Sequence, residues 1–149
     1  MKRRIFIKNS VVGAAALTAS PLLAHMPSQK ELKISLAQWS LHRSFRDGSL
    51  DAVDFASIAA EKYNIDAIEL VNGLYPGKAK DEKFWNEMKE RSSDAGVKNL
   101  LMMVDDEGDL GAASEKERLK SVENHYKWVH AAKLLGCHTM RVNAFGDSD

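Results

Sequence analysis

The polar side chains best suited to chemistry in this chain stand at the ends of apolar segments. An indole ring can stack on the face of a sugar ring, while guanidinium, amide, imidazole and carboxylate groups can hydrogen-bond its hydroxyl groups. Such side chains occur near the ends of all four apolar segments, and the third delivers Asp105, Asp106 and Glu107 to the same end. The candidate binding residues are Trp39, His42, Glu69, Asn72, Arg141 and Asn143. This set predicts a pocket for a polyhydroxylated small molecule.

Four of these residues allow more than one interpretation. Glu69 lies inside the apolar sequence IDAIELV, where a carboxylate is costly unless it is paired. It is therefore either a pocket group or a structural partner of Arg141. Arg141 and Asn143 alternate with apolar residues and so share one face of a strand, as pocket groups or as a structural polar layer. His42 is either an acid–base or substrate-contacting group, or a loop histidine with neither role.

An acidic sequence, DDEGD, begins at Asp105, directly after the third apolar segment. An EF-hand calcium loop needs glycine at its sixth position, and Leu110 stands there instead. The preferred interpretation is a solvated acidic loop. Cysteine and histidine residues do not have the spacing of a zinc site. The single cysteine, Cys137, excludes an internal disulfide and is expected to be a small buried hydrophobe.

A repeated pattern of strands and helices places these side chains. Apolar runs predict strands over residues 32–39, 65–71, 97–104 and 138–145. Helices are expected over residues 50–63, 81–95 and 114–136. Strands and helices that alternate in this way form a parallel sheet covered by helices. The carboxyl ends of the strands then meet at one edge, where α/β proteins place their active sites.

The longest predicted helix begins at Ser114 and ends at Gly136. Ser114 and Glu117 have the spacing of a capping box, and glycine is favoured after a helix C-terminus. The apolar stripe expected to face the core consists of Leu119, Val122, Tyr126, Val129 and Ala132. Asp81 is expected to cap the preceding helix. The predicted buried face of that helix consists of Phe84, Met88 and Ala95, flanked by Trp85.

The segment ENHYKWVHAAKLLGCHTMRVN resembles the third helix and fourth strand of the sugar phosphate isomerase/epimerase family. The resemblance includes SLAQWSLH and IDAIEL earlier in the chain. These proteins are xylose-isomerase-like (β/α)8 TIM barrels. The implied fold class is α/β, a (β/α)8 barrel of which residues 32–149 supply only the first four strands and three helices. An open doubly wound sheet is the alternative, although no glycine-rich dinucleotide motif follows the first strand.

The resemblance implies a sugar isomerase or epimerase that acts by metal-assisted proton transfer next to a carbonyl. Family members hold a divalent metal ion (Mn, Mg, Co or Zn) through residues on their last four strands, so its ligands would lie outside this chain. The chain alone is expected to be an inactive N-terminal fragment whose exposed apolar faces favour a homo-oligomer. A non-catalytic carbohydrate-binding barrel is the alternative. An endonuclease-like hydrolase ranks low, because Asn72 and Asp105 stand where that branch carries histidines.

Residues 1–24 have the features of an export signal. The paired Arg3 and Arg4 precede an apolar stretch that is too short to span a membrane. The pair resembles a twin-arginine signal, so we expect a periplasmic or otherwise exported protein with no stable membrane anchor after cleavage. Residues 25–31 are expected to be a linker. Lys and Arg balance Asp and Glu at 21 each, but four basic residues lie in the signal, and the acidic remainder disfavours nucleic acid as a partner.

Overall fold

A computed structural model describes residues 32–146. The predicted export signal, residues 1–24, and the predicted linker, residues 25–31, lie outside the described residues. Every strand and helix of the described region belongs to one unit of the chain, Ile34–Asp149.

Four parallel strands form one sheet and lie side by side in their sequence order. They are β1 (Leu36–Ala37), β2 (Ala67–Val71), β3 (Lys98–Val104) and β4 (Thr139–Val142). Glu69 of β2 lies beside Ala37 of β1 and Leu101 of β3. Arg141 of β4 lies beside Met103 of β3. The predicted α/β class with a parallel sheet is therefore confirmed.

Four α-helices accompany the strands: α1 (His42–Arg46), α2 (Phe55–Tyr63), α3 (Glu82–Asp94) and α4 (Glu115–Leu135). The short helix α1 occupies a stretch for which the sequence predicted no helix. Asp81 caps α3 as predicted, because its carboxylate accepts a hydrogen bond from the Phe84 N–H at 3.0 Å. None of the helices in residues 32–146 is both long and apolar enough to cross a membrane.

The predicted C-terminal end of α4 is confirmed, but the predicted N-terminal capping box is not. Gly136 follows the helix with a φ of 84°, in the left-handed region that glycine enters without a steric penalty. Ser114 is the N-cap residue, but its side chain makes no capping hydrogen bond, so the predicted capping box is wrong. The start of the helix is held instead by Arg118, whose guanidinium donates to the carbonyl oxygens of Ala112 and Ala113 at 2.7 and 2.8 Å.

β1 is shorter than the predicted strand over residues 32–39. The chain turns into a 3-10 helix at Gln38, whose side chain is fully buried and bonded to the next segment of the fold. Its amide nitrogen donates to the Tyr75 hydroxyl at 2.7 Å, and its carbonyl oxygen accepts from the Val71 N–H at 3.1 Å. These two bonds tie the start of the 3-10 helix to β2 and to the loop that follows it.

β4 also stops earlier than the predicted strand over residues 138–145. The Phe145 carbonyl oxygen accepts a hydrogen bond from the Gly111 N–H at 2.7 Å, which ties the chain after β4 to the loop before α4. The ladder with β3 runs over Thr139–Val142, and the His138 N–H adds one hydrogen bond to the Leu100 carbonyl oxygen at 3.2 Å.

The core lies between one face of the sheet and the helices. The sheet contributes Ile68, Leu70, Met102 and Val104. Trp85 of α3 is fully buried and meets Trp128 of α4 edge-on, with ring centroids 6.1 Å apart. Trp85 is thus the main core residue of α3, and its predicted place at the edge of the buried face is wrong. Met88 is buried as expected, whereas Phe84 and Ala95 are half-buried.

The predicted orientation of α4 is wrong. Its buried face consists of Ser121, His125, Trp128, Ala131, Ala132 and Leu135. The side chains of Leu119, Val122, Tyr126 and Val129 are 58%, 38%, 63% and 46% exposed. Of the predicted stripe, only Ala132 is buried. The helix takes this orientation because the large Trp128 ring fills the space against Trp85, and the small residues beside it allow close packing.

Cys137 is half-buried in the link between α4 and β4 and packs against the core. Burial raises the pKa of its thiol to about 11, so the side chain is protonated at neutral pH. A protonated, packed thiol agrees with the small hydrophobe that the sequence predicts, although the side chain is not fully buried.

Replacing Trp128 should reveal which face of α4 is buried. Trp128→Ala removes a ring that packs on Trp85, and it should lower the free energy of unfolding by about 3–5 kcal/mol. Tyr63→Ala, at an exposed aromatic position on α2, is the control and should change that free energy by about 0.5 kcal/mol or less. Urea denaturation followed by circular dichroism measures both. Equal losses for the two variants would contradict this orientation of α4.

Candidate functional site

The candidate site is built on the residues that directly follow the parallel strands. Asn72 follows β2 and is buried, and Asp105 follows β3. The Asn72 side chain donates to the Asp105 carbonyl oxygen at 2.8 Å and accepts from the Asp105 N–H at 2.9 Å. An amide side chain that pairs with both backbone groups of one residue holds the two strand ends at a fixed separation.

The same hydrogen-bonded chain continues to β4. The Asn143 amide nitrogen donates to the Asp105 carboxylate. The Arg141 guanidinium donates to the Asn143 side-chain oxygen at 2.9 Å. Asn72, Asp105, Asn143 and Arg141 therefore form one polar network across the ends of three adjacent strands, and Arg141 is its exposed end. We call these four residues the edge network.

Asp105 is the member of the edge network that sequence reasoning left out of the candidate set. The sequence places it in a loop that is expected to be solvated, yet its backbone and its carboxylate join the two asparagines. The available signal was its position, because it is the first residue after β3, as Asn72 is after β2. Position at a strand end was thus more informative than membership of an acidic run.

Glu69 lies on the face of the sheet opposite the helices. Its neighbours along β2, Ile68 and Leu70, are buried in the core, so its own side chain points the other way. The Ser35 hydroxyl donates to its carboxylate at 2.6 Å. Arg141 shares that face but lies two strands away, and within residues 32–146 no ion pair joins it to Glu69. The partner of Glu69 is Ser35.

Trp39 and His42 form a separate cluster after β1. Their rings stack with centroids 4.5 Å apart and an angle of 9° between the planes. The Arg46 guanidinium carbon lies 5.0 Å from the centre of the Trp39 ring. His42 Nδ1 lies 2.7 Å from the Trp39 carbonyl oxygen. Because a carbonyl oxygen only accepts, Nδ1 carries the proton, and Nε2 of the neutral ring is left to accept a hydrogen bond from a ligand.

Two further polar residues have structural roles. Gln38 and Tyr75 link β1 to the loop after β2, and the Tyr75 hydroxyl donates to the Ala52 carbonyl oxygen at 3.2 Å. Burial raises the pKa of the Tyr75 phenol, so it remains neutral and acts as a hydrogen-bonding group. These bonds fix the position of the chain that carries Trp39.

The acidic loop after β3 is only partly solvated. Glu107 turns inward, where its carboxylate accepts from Lys127 at 2.8 Å and from the Trp128 indole. Its side chain is only 13% exposed, so the predicted solvated loop is wrong at this residue. The pairing with Lys127 compensates for the burial of the carboxylate. Asp106, with a φ of 60°, is exposed.

A cleft of about 470 Å³ lies between the loops that follow β2 and β3. Asn72 and Asp105 of the edge network line it, together with Tyr75 and the ammonium-bearing Lys80 and Lys127. The cleft offers amide, carboxylate and ammonium groups within one space. It is large enough for a small polar ligand.

The acidic, histidine and cysteine side chains are the groups that could hold a metal ion. Within residues 32–146, His, Cys, Asp and Glu side chains do not form a group of three or more that could hold a metal ion. Glu69 and Glu107 are engaged with Ser35 and Lys127. The described residues therefore do not fit the divalent metal that the resemblance implies.

Comparisons with known proteins do not identify a family for this chain. No protein-family model matches the chain, and no curated protein matches it at a significant level.

Asn72 should be needed to hold the edge network together. Asn72→Ala removes the side-chain partner of the half-buried N–H and carbonyl of Asp105, and it should lower the free energy of unfolding by about 1–3 kcal/mol. Asn86→Ala, on the exposed side of α3, is the matched control and should change it by about 0.5 kcal/mol or less. Thermal and urea denaturation report the difference. An Asn72→Ala protein as stable as the control would show that these bonds contribute nothing.

Proposed function

We propose that the chain supplies the substrate-binding N-terminal part of a sugar isomerase or epimerase with a xylose-isomerase-like (β/α)8 barrel. The observation that carries the proposal is the edge network, which joins the carboxyl ends of β2, β3 and β4. Active sites of α/β barrels are formed at that end of the strands, by residues from several different strands.

The order of the strands supports a barrel over an open doubly wound sheet. The four strands lie in sequence order, whereas a doubly wound sheet reverses its order at a switch point. The sheet residues of the helical core, such as Leu70 and Met102, come from one face. The other face carries Glu69, Leu101 and Met103, which are only half-buried. A parallel sheet normally has both faces covered, as the inner face of a closed barrel is.

The chemistry of the exposed groups suits a polyhydroxylated substrate. Arg141 has donors beyond the one used by Asn143, and a carboxylate oxygen of Asp105 can still accept. Glu69 lies on the same side of the sheet, where its carboxylate can accept from a hydroxyl group. Trp39 is 40% exposed and adds an aromatic surface after β1. Donors, acceptors and an aromatic surface are what sugar recognition requires.

The reaction we propose for the whole protein is proton transfer next to a sugar carbonyl, in which a divalent metal would polarise the oxygen. The described residues do not fit such a metal, so its ligands are proposed to lie outside them. This chain would then bind and orient the substrate but not turn it over. A non-catalytic carbohydrate-binding protein remains the second candidate, because the same groups would serve binding alone.

Sugar binding should depend on the exposed end of the edge network. Isothermal titration calorimetry of the full chain against a panel of pentoses and hexoses should give saturable binding of at least one sugar. Arg141→Ala should weaken that binding by about tenfold or more, because it removes a charged donor. Arg91→Ala, at an exposed arginine on α3, is the control and should bind as the unmodified chain does. Absence of binding by every sugar, or an unchanged Arg141→Ala affinity, would contradict the proposal.

Export is a separate proposal that concerns residues outside the described region. Replacing Arg3 and Arg4 together by lysine should keep the protein in the cytoplasm, because twin-arginine export reads the paired guanidinium groups. Lys8→Arg leaves the pair intact and should be exported normally. Immunoblots of cytoplasmic and periplasmic fractions measure the distribution. Normal export of the double lysine variant would mean that the signal is of another type.

A further inference from the structure

The buried end of the edge network carries a reactive dipeptide, since Asn72 is followed directly by Gly73. An asparagine before a glycine is the pair most prone to deamidation, because the glycine nitrogen can attack the side-chain amide with no Cβ atom in the way. The other asparagines of the sequence are followed by larger residues. The chemistry of this pair therefore concerns the residue that holds β2 and β3 together.

Deamidation at this pair replaces an amide by a carboxylate. The Gly73 nitrogen bonds to Cγ of Asn72, the bond between Cγ and Nδ2 breaks, and ammonia leaves with the proton of the Gly73 N–H. Water then opens the succinimide ring. Cleavage between Cγ and the ring nitrogen gives aspartate, and cleavage at the main-chain carbonyl gives isoaspartate. Water is the only co-reactant.

The fold holds the Asn72 side chain away from this reaction. Nδ2, the leaving nitrogen, donates to the Asp105 carbonyl oxygen at 2.8 Å, and Oδ1 accepts from the Asp105 N–H at 2.9 Å. The side chain cannot turn its Cγ towards the Gly73 nitrogen without losing this geometry. Asn72 is also only 5% exposed, so water has little access to it.

The backbone adds a second restraint. Asn72–Leu74 forms a 3-10 helix, and the Tyr75 N–H donates to the Asn72 carbonyl oxygen at 2.9 Å. A 3-10 helix holds ψ at about −20 to −30°, whereas the succinimide ring forms only after ψ of Asn72 turns well away from that value. Ring closure therefore requires the loop to open locally.

The described fold does not require glycine at position 73. A Cβ atom built on Gly73 meets no atom of residues 32–146 within 4 Å, and φ of Gly73 is outside the left-handed region. Gly77, in the same loop, differs because its φ is 75°. Gly73→Ala therefore changes the reactivity of the pair without straining the backbone.

The product of deamidation cannot replace Asn72 in the edge network. A carboxylate can still accept from the Asp105 N–H, but it has no N–H to donate to the Asp105 carbonyl oxygen. Two acceptors would then face each other at a buried position, which is costly. Isoaspartate also lengthens the main chain and displaces Gly73.

We propose that Asn72 is a deamidation site that the edge network protects, and that it reacts only in molecules whose network has opened. Because the product cannot restore the hydrogen bonds to Asp105, a molecule that has reacted stays weakened at this edge of the sheet. The proposal does not rest on sugar binding, since both the rate of reaction and the stability of the product are measured without a ligand.

Peptide mapping of the full chain measures the rate, with folded protein and protein unfolded in guanidinium chloride incubated at the same mildly alkaline pH. Asn72 should deamidate at least about tenfold more slowly in the folded chain, because opening must precede the reaction. The tryptic peptide of residues 63–78 also contains Asn64, which tandem mass spectrometry distinguishes from Asn72. Asn64 precedes isoleucine and should stay unmodified in both samples.

Three variants separate the chemistry from the protection. Gly73→Ala should suppress deamidation of the unfolded chain and leave the melting temperature unchanged or slightly raised. Asn143→Ala removes the donor on the Asp105 carboxylate and leaves the reacting pair intact. It should speed deamidation of the folded chain by about threefold or more, with no change in the unfolded chain. Asn86→Ala, at an exposed position on α3, should change neither rate.

Asn72→Asp tests the consequence of the reaction. It should lower the melting temperature by about 4 °C or more, because it removes a buried donor. Asn86→Asp is the matched control and should shift the melting temperature by about 2 °C or less.

Four results would overturn the proposal. Equal rates in the folded and unfolded chains, or an unreactive unfolded chain, would exclude a protected site. An Asn143→Ala chain that reacts no faster than the unmodified chain would exclude protection by the edge network. An Asn72→Asp chain as stable as its control would show that the product does not weaken the network.

Discussion

The edge-to-face contact between Trp85 and Trp128 determines how α4 lies on the fold. With Trp128 directed into the core, its indole N–H reaches the Glu107 carboxylate, and Lys127 beside it completes the pairing. Glu107 in turn fixes the loop after β3, the loop in which Asp105 meets its two asparagine partners. The same rotation of the helix leaves Leu119 and its neighbours in solvent. A single aromatic contact thus sets both the conformation of the candidate site and the face that α4 presents outward.

The residues of the edge network differ in how much of each side chain the fold uses. Both polar atoms of the Asn72 side chain are hydrogen-bonded to Asp105. The Arg141 guanidinium donates one hydrogen bond to Asn143, and the residue is otherwise exposed. The network is therefore most rigid at β2 and least constrained at β4. Preorganised groups bind ligands with a smaller entropic loss than mobile ones, so in the proposed binding role the buried end would supply geometry and the exposed end would supply contacts.

Much of the fold could be predicted from the sequence. Strands β2 and β3 are nearly continuous apolar runs, and Asp81 is a residue type that caps a helix by accepting from the N–H three residues later, here that of Phe84. The orientation of α4 could not be predicted, because two stripes at helical spacing share that helix. The stripe that is buried contains the polar residues Ser121 and His125, whereas the more apolar stripe is exposed. What decides between them is the fit of Trp128 against Trp85, a contact between residues 43 positions apart. The role of Asp105 was hidden for a similar reason, since it depends on the register between β3 and β4.

The three tryptophans of the chain differ sharply in their surroundings. Trp85 and Trp128 are 0% and 5% exposed, whereas Trp39 is 40% exposed and stacked on an imidazole ring. Buried indoles emit at shorter wavelengths than hydrated ones and are shielded from aqueous quenchers such as iodide. The fluorescence of this protein therefore separates into a component from the core and a component from the end of β1. Each can be followed without a label, one as a measure of folding and the other as a measure of events beside His42.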